Sequence, residues 1–146
     1  MSVTATGRWR PLPLLLAVGW GVVIWVLSTS VGHGERPPSF VSQVLWNGGH
    51  ALLFGVLALL SLCGVPSGRP AFVAACLCIL YGAVSEWHQT DIPGRVGSVT
   101  DWLTDTAGVV FGGSVLRWVR TGLTTWRSVL ATALVCVAAA ILASLA

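Results

Sequence analysis

Residues 11–31 read PLPLLLAVGWGVVIWVLSTSV, a run without a single charged side chain. A helix needs roughly 20 apolar residues to cross the hydrocarbon of a bilayer, and this run supplies them. A secretory leader is the competing reading, since the polar segment before it carries Arg8 and Arg10. The apolar stretch is longer than the core of such a leader, and LSTS is a mediocre cleavage site. We therefore read residues 11–31 as a retained membrane span.

Leu45–Val65, Ala71–Trp87 and Ser128–Ala146 read as further spans, and Ser98–Trp118, which carries Asp101, Asp105 and Arg117, reads as a fourth helix. The segments between them carry turn and loop chemistry. Gly32–Val44 holds His33, Glu35, Arg36 and the Pro37-Pro38 pair, Pro66–Pro70 reads PSGRP, and His88–Gly97 reads HQTDIPGRVG. The expectation is an all-α polytopic bundle of about five transmembrane helices in one domain, residues 1–146. No internal repeat and no second domain is visible.

Composition agrees. Of 146 residues, 55% are hydrophobic and 9% charged, where a soluble domain carries about 25% charge. Disorder is excluded as well, because it requires low hydrophobicity and high charge. The net charge of +3 comes from eight arginines and no lysine. So small a basic balance does not suggest nucleic acid and fits the bias of membrane loops. Cys63, Cys76, Cys78 and Cys136 lie in or beside apolar runs without metal or redox spacing, and read as packed thiols.

The arginines orient the chain. With the N-terminus cytoplasmic, Arg8, Arg10, Arg69, Arg117, Arg120 and Arg127 fall inside, and Arg36 and Arg95 outside. Six against two obeys the positive-inside rule, and the reverse topology inverts it. Trp9, Trp118 and Trp126 then mark the inner boundary, and Trp46, Trp87 and Trp102 the outer one. Trp20 and Trp25, within the first span, are assigned to packing, and His33 and His88 to solvated loops.

In this topology the residues with chemical potential converge on the outer third of the membrane. His50 stands five residues into the second run, about 8 Å along a helix. The segment Glu86–Gly112, EWHQTDIPGRVGSVTDWLTDTAGVVFG, holds the rest. Glu86 and Gln89 share a helix face. Ser98 and Asp101 fit a capping pattern at the start of the fourth helix, so Asp101 has a structural reading beside a catalytic one. Asp105 lies a turn deeper on the same stripe, and Gly108 and Gly112 continue it. Glycines at that spacing let a second helix approach, which turns the carboxylates toward the bundle. An idle buried carboxylate is costly, so Asp105 should be protonated, paired with Arg95 or His50, or bound to a ligand. Arg95 is either a salt-bridge partner or a clamp for phosphate or carboxylate.

The candidate catalytic residues are thus His50, Glu86, Asp101 and Asp105, and the candidate substrate-binding residues Trp87, Gln89, Arg95, Ser98 and Trp102. Glu86, Arg95 and Asp101 are expected in one polar cluster, with His50 and Gln89 at its wall. No cofactor or metal is assigned. Asp101 and Asp105 keep Mg²⁺ as a candidate only because paired carboxylates bind it, at a spacing common by chance.

Glu86-x-x-Gln89, Pro93-Gly94-Arg95, Ser98, Asp101, a polar residue at 105, Gly108 and Gly112 together resemble the hallmark of VanZ-like membrane proteins. His50 with Phe54 resembles the earlier histidine-containing span of that family. The resemblance covers residues 45–116 and leaves the C-terminal helix, 128–146, outside. It implies a protein of the bacterial envelope, whose namesake is associated with low-level resistance to teicoplanin. Two positions depart from the pattern. The family often has Asp-Lys where this chain has Trp46-Asn47, and usually Asn where it has Asp105.

Two functions follow as expectations. One is an envelope protein that binds a membrane lipid or lipid-like small molecule in an outward-facing polar pocket of the bacterial cytoplasmic membrane. The other is a small intramembrane enzyme using buried carboxylates for acid–base chemistry on a prenyl or other lipid-like substrate. A proton-coupled carrier is disfavoured by the absence of broken-helix repeats. Homo-oligomerisation stays open.

Overall fold

The computed structural model describes residues 7–30, 39–92, 97–122 and 126–145. They form five α-helices: α1 Pro11–Ser30, α2 Phe40–Gly64, α3 Arg69–Gln89, α4 Val99–Thr121 and α5 Trp126–Leu145. The described residues contain no strand, and the all-helical expectation holds. Of the helices, α1, α2, α3 and α5 are long and apolar enough to cross a membrane on their own. The exception, α4, carries Asp101, Asp105, Arg117 and Arg120 and packs against α2, α3 and α5. Large apolar side chains such as Leu15, Leu52, Phe72 and Leu134 are exposed on the outside of the bundle. A soluble monomer does not present apolar surface on that scale; lipid covers it.

The second helix starts five residues earlier than its apolar run. Ser39 and Ser42 form a reciprocal capping box, the Ser39 hydroxyl accepting from the Ser42 backbone and the Ser42 hydroxyl from that of Ser39. Such a box satisfies amides the helix itself cannot, so helix begins at Phe40 although the hydrophobic run begins at Leu45. The third helix is likewise longer than its run, opening at Arg69 with Pro70 in its first turn, where a missing N–H costs nothing.

The first, third and fifth helices run antiparallel to α2 and α4, which run parallel to each other. α2 touches all four other helices and packs most extensively on α4. Gly108 and Gly112 make that contact possible. A Cβ on Gly108 would overlap the backbone of Ala51, and one on Gly112 the carbonyl of Gly55. Lipid is as apolar as leucine, so helices in a membrane associate through such close packing rather than by escaping water.

Polar links fasten the remaining helices. Trp20 Nε1 donates to the Leu53 carbonyl at 2.9 Å, and Tyr81 Oη to that of Gly21 at 2.7 Å. Asn47 Nδ2 donates to Ser144 Oγ at 2.9 Å, tying α5 to α2. The Arg10 backbone N–H reaches the Gly64 carbonyl, and Arg120 Nη2 that of Leu62. These contacts place the start of α1, the α2–α3 turn and the end of α4 together. Among the described residues, all six arginines therefore lie at one end of the bundle.

His88 corrects one expectation, and Trp25 packs as expected. The His88 ring stacks on Trp25, centroids 4.4 Å apart and planes within 12°, so His88 is a contact between α1 and α3 rather than a solvated loop residue. Trp102 Nε1 donates to the Ile79 carbonyl of α3. Arg36, Arg95 and His33 lie outside the described residues.

Candidate functional site

The site lies at the end of the bundle opposite the six described arginines, where α2, α3 and α4 meet. α2 contributes His50. Because that helix begins at Phe40, His50 stands about 15 Å along it, near its middle rather than close to its start. α3 contributes Glu86 and Gln89 from its last turn, and α4 contributes Asp105 from its second.

Glycines bring these helices together. Gly108 seats α4 on Ala51, the neighbour of His50. Gly82 seats α3 on α4: a Cβ there would stand 3.3 Å from Phe54 Cε1 and Trp102 Cδ1, and 3.5 Å from Asp105 Cβ. Gly97 lets the chain between α3 and α4 pass over the end of α3, where a Cβ would overlap the Glu86 carbonyl.

His50 Nδ1 and Asp105 Oδ1 are 3.2 Å apart. Of the two partners the expectation offered Asp105, the structure shows His50. Asp105 is 1% exposed, and its second oxygen, Oδ2, has no hydrogen-bond partner among the described residues. Glu86 is buried and held at both oxygens. Gln89 Nε2 donates to Oε1 at 3.1 Å, and the Ser98 backbone N–H to Oε2 at 2.9 Å. Donor atoms of His50, Glu86 and Asp105 all lie within 4.8 Å of one another. Asp101 sits one turn before Asp105 and is half-buried.

The candidate binding residues separate. Gln89 is 3% exposed and belongs to the cluster. Ser98 supports it through its backbone, while its hydroxyl caps α4 by accepting from the Asp101 backbone. Trp87 points away from the bundle and is 72% exposed. Trp102 packs between α3 and α4 through its bond to Ile79.

A cavity of about 290 Å³ ends on the cluster. Ile24, Leu27, Leu45 and Leu53 supply apolar wall, and His50 and Asp105 its polar end. Ser28 and Ser85 also line it, with the Ser85 hydroxyl donating to that of Ser28 at 3.4 Å. The sequence reading passed over these two serines. Their signal was a hydroxyl inside an apolar run, which in a span usually bonds back to its own helix, as Ser28 also does to the Trp25 carbonyl.

The family model described as VanZ/LLP1 matches residues 13–120, well over half of the chain. This protein belongs to the VanZ/LLP1 family. The match takes in α1 to α4 and every residue of the cluster, and it stops before α5. No curated protein and no solved structure gives a significant match. The two departures from the VanZ-like pattern now have places. Asn47 holds α5, the helix beyond the family match, and Asp105 adds a second buried carboxylate beside Glu86.

Proposed function

We propose that this VanZ-family protein binds a membrane lipid or lipid-like small molecule, with the apolar part in the cavity and the polar head against His50 and Asp105. The observation that carries the reading is the cavity itself: about 290 Å³, apolar along its walls and ending on an imidazole–carboxylate pair. Ligand sites commonly join apolar walls to a few convergent polar groups. The arginines support a bacterial cytoplasmic membrane protein whose N-terminus is cytoplasmic and whose polar site faces outward. In that orientation the site meets the compartment in which a glycopeptide-resistance role would operate.

Gly49 lines the cavity, and a Cβ there meets nothing within 4 Å. Gly49→Leu should therefore fill the space without disturbing the packing. Lipid species that co-purify with wild-type protein in polymer-bounded membrane discs, identified by mass spectrometry, should be depleted in Gly49→Leu. The same retained species in both would overturn the reading. Orientation is tested with Ser39→Cys in a chain lacking its four native cysteines: an impermeant thiol reagent should label it from outside intact cells.

Acid–base catalysis on a prenyl or other lipid-like substrate is the second reading. The unpartnered Asp105 Oδ2 favours it, because a buried oxygen with no partner is free to exchange a proton with a substrate. Asp105→Asn should abolish turnover under this reading and be nearly silent for ligand retention under the first, because Asn fills the same space and can still hydrogen-bond a polar head.

A further inference from the structure

We propose that His50, Glu86 and Asp105 form a binding site for one divalent first-row transition-metal ion, with an open coordination position toward the cavity. The inference rests on the side-chain geometry, and holds or fails independently of the lipid-ligand reading.

Three observations carry it. The first is convergence: one imidazole nitrogen and two carboxylate oxygens, from three helices, lie within 4.8 Å of one another. Donors about 2.1 Å from a tetrahedral ion stand about 3.4 Å apart. His50 and Asp105 already meet that spacing at 3.2 Å, so the remaining closure is little more than an ångström of side-chain rotation. The second is the orphaned oxygen. Asp105 is 1% exposed and its Oδ2 has no hydrogen-bond partner among the described residues. A buried polar atom without a partner needs an explanation, and an ion is one. The third is outer support. Gln89 and the Ser98 backbone hold the Glu86 carboxylate, as the ligands of metal sites are themselves held.

The donor set selects the ion. Two carboxylates balance a 2+ charge, which low-dielectric surroundings require. An imidazole nitrogen suits Zn²⁺ and its neighbours, whereas Mg²⁺ prefers oxygen and keeps its waters. The proposed site omits Asp101, one of the two carboxylates kept as a weak Mg²⁺ candidate in the sequence, and includes His50. Three protein donors and one open position form the pattern of zinc sites that accept an exogenous ligand. His50 and Asp105 both line the cavity, so the fourth position faces the space where an anionic head group would arrive.

The test uses tag-free full-length protein in detergent micelles, stripped with chelator and titrated with Co²⁺ or Zn²⁺ alone. We expect one ion per chain and a four-coordinate Co²⁺ spectrum without thiolate-to-cobalt charge transfer, which excludes the four cysteines. His50→Ala and Asp105→Asn should each weaken binding by at least about 100-fold, and Gln89→Leu by about tenfold. Asp91→Asn, in the exposed turn after α3, should bind like wild type, and Mg²⁺ should not compete. X-ray absorption on the wild-type Zn²⁺ complex should show nitrogen and oxygen neighbours only, a readout that does not depend on any variant folding. No stoichiometric binding by wild-type protein, sulfur ligation, or equal binding by Asp105→Asn would overturn the proposal. Absence of metal binding together with unchanged lipid retention would overturn the metal site and leave the ligand reading standing.

Discussion

Gly108→Ala should loosen the α2–α4 contact and open the site with it. The added Cβ would overlap the carbonyl oxygen of Ala51 and stand 2.8 Å from its Cα and carbonyl carbon, where ordinary contact begins at about 3.4 Å. The obstruction is backbone, which cannot rotate aside, so the helices must part by at least about 0.6 Å. Overpacking of this kind costs about 1–3 kcal/mol, and a backbone obstruction belongs at the upper end. Replacing glycine inside a helix returns about 1 kcal/mol. The net loss should be about 1–2 kcal/mol, a factor of roughly 5–30 in the unfolded fraction. Gly113→Ala is the matched control, five residues further along the same helix than Gly108. Its Cβ would lie 3.6 Å from Leu62 Cδ1, an ordinary contact, so only the helix-propensity gain should appear. Because Ala51 adjoins His50, the same displacement should stretch the 3.2 Å His50–Asp105 contact beyond hydrogen-bonding range. Reversible unfolding in mixed micelles, followed by far-ultraviolet circular dichroism, measures the stability difference, and lipid retention measures the effect on the site. Equal stability of Gly108→Ala and Gly113→Ala would refute the close-packing argument.

Ser98→Ala removes the α4 cap but leaves the backbone N–H that holds Glu86, so it should cost about 1 kcal/mol and leave lipid retention unchanged. A loss of retention at constant stability would return the Ser98 hydroxyl to the ligand contacts. The Asn47–Ser144 bond should give a coupling energy of about 0.6 kcal/mol, and at most about 1.7, in a double-mutant cycle with alanine at each position. Zero coupling would mean that α5 is held by packing alone.

Much of this protein is written in single-residue chemistry. Four apolar runs fix α1, α2, α3 and α5, because a chain in lipid must satisfy its backbone internally whatever its neighbours are. The serine cap at 98 is local for the same reason: it involves an amide three residues away. The Gly108–Gly112 pair identified an approach face, since glycine in a span is informative only where another backbone comes close. Once the runs are assigned, the arginines mark one end of the bundle, and the six described ones gather there.

What the sequence could not decide was which groups meet. Capping by Ser39 and Ser42 moved His50 from the head of its helix to its middle, a shift invisible in the hydrophobic run because polar residues begin the helix. Trp87 and Glu86 are neighbours in sequence, yet successive helix positions are about 100° apart, so one faces lipid and the other the site. His88 reads as solvated from its polar surroundings, and only the approach of α1 gives it Trp25 to stack on. Asp105 alone is a carboxylate in an apolar span. Its partnership with His50, the orphaned second oxygen and the proximity of Glu86 arise from three helices held by Gly82 and Gly108. Helix formation depends on residues a turn apart, whereas the site depends on crossing geometry between helices distant in sequence, and packing alone sets that geometry.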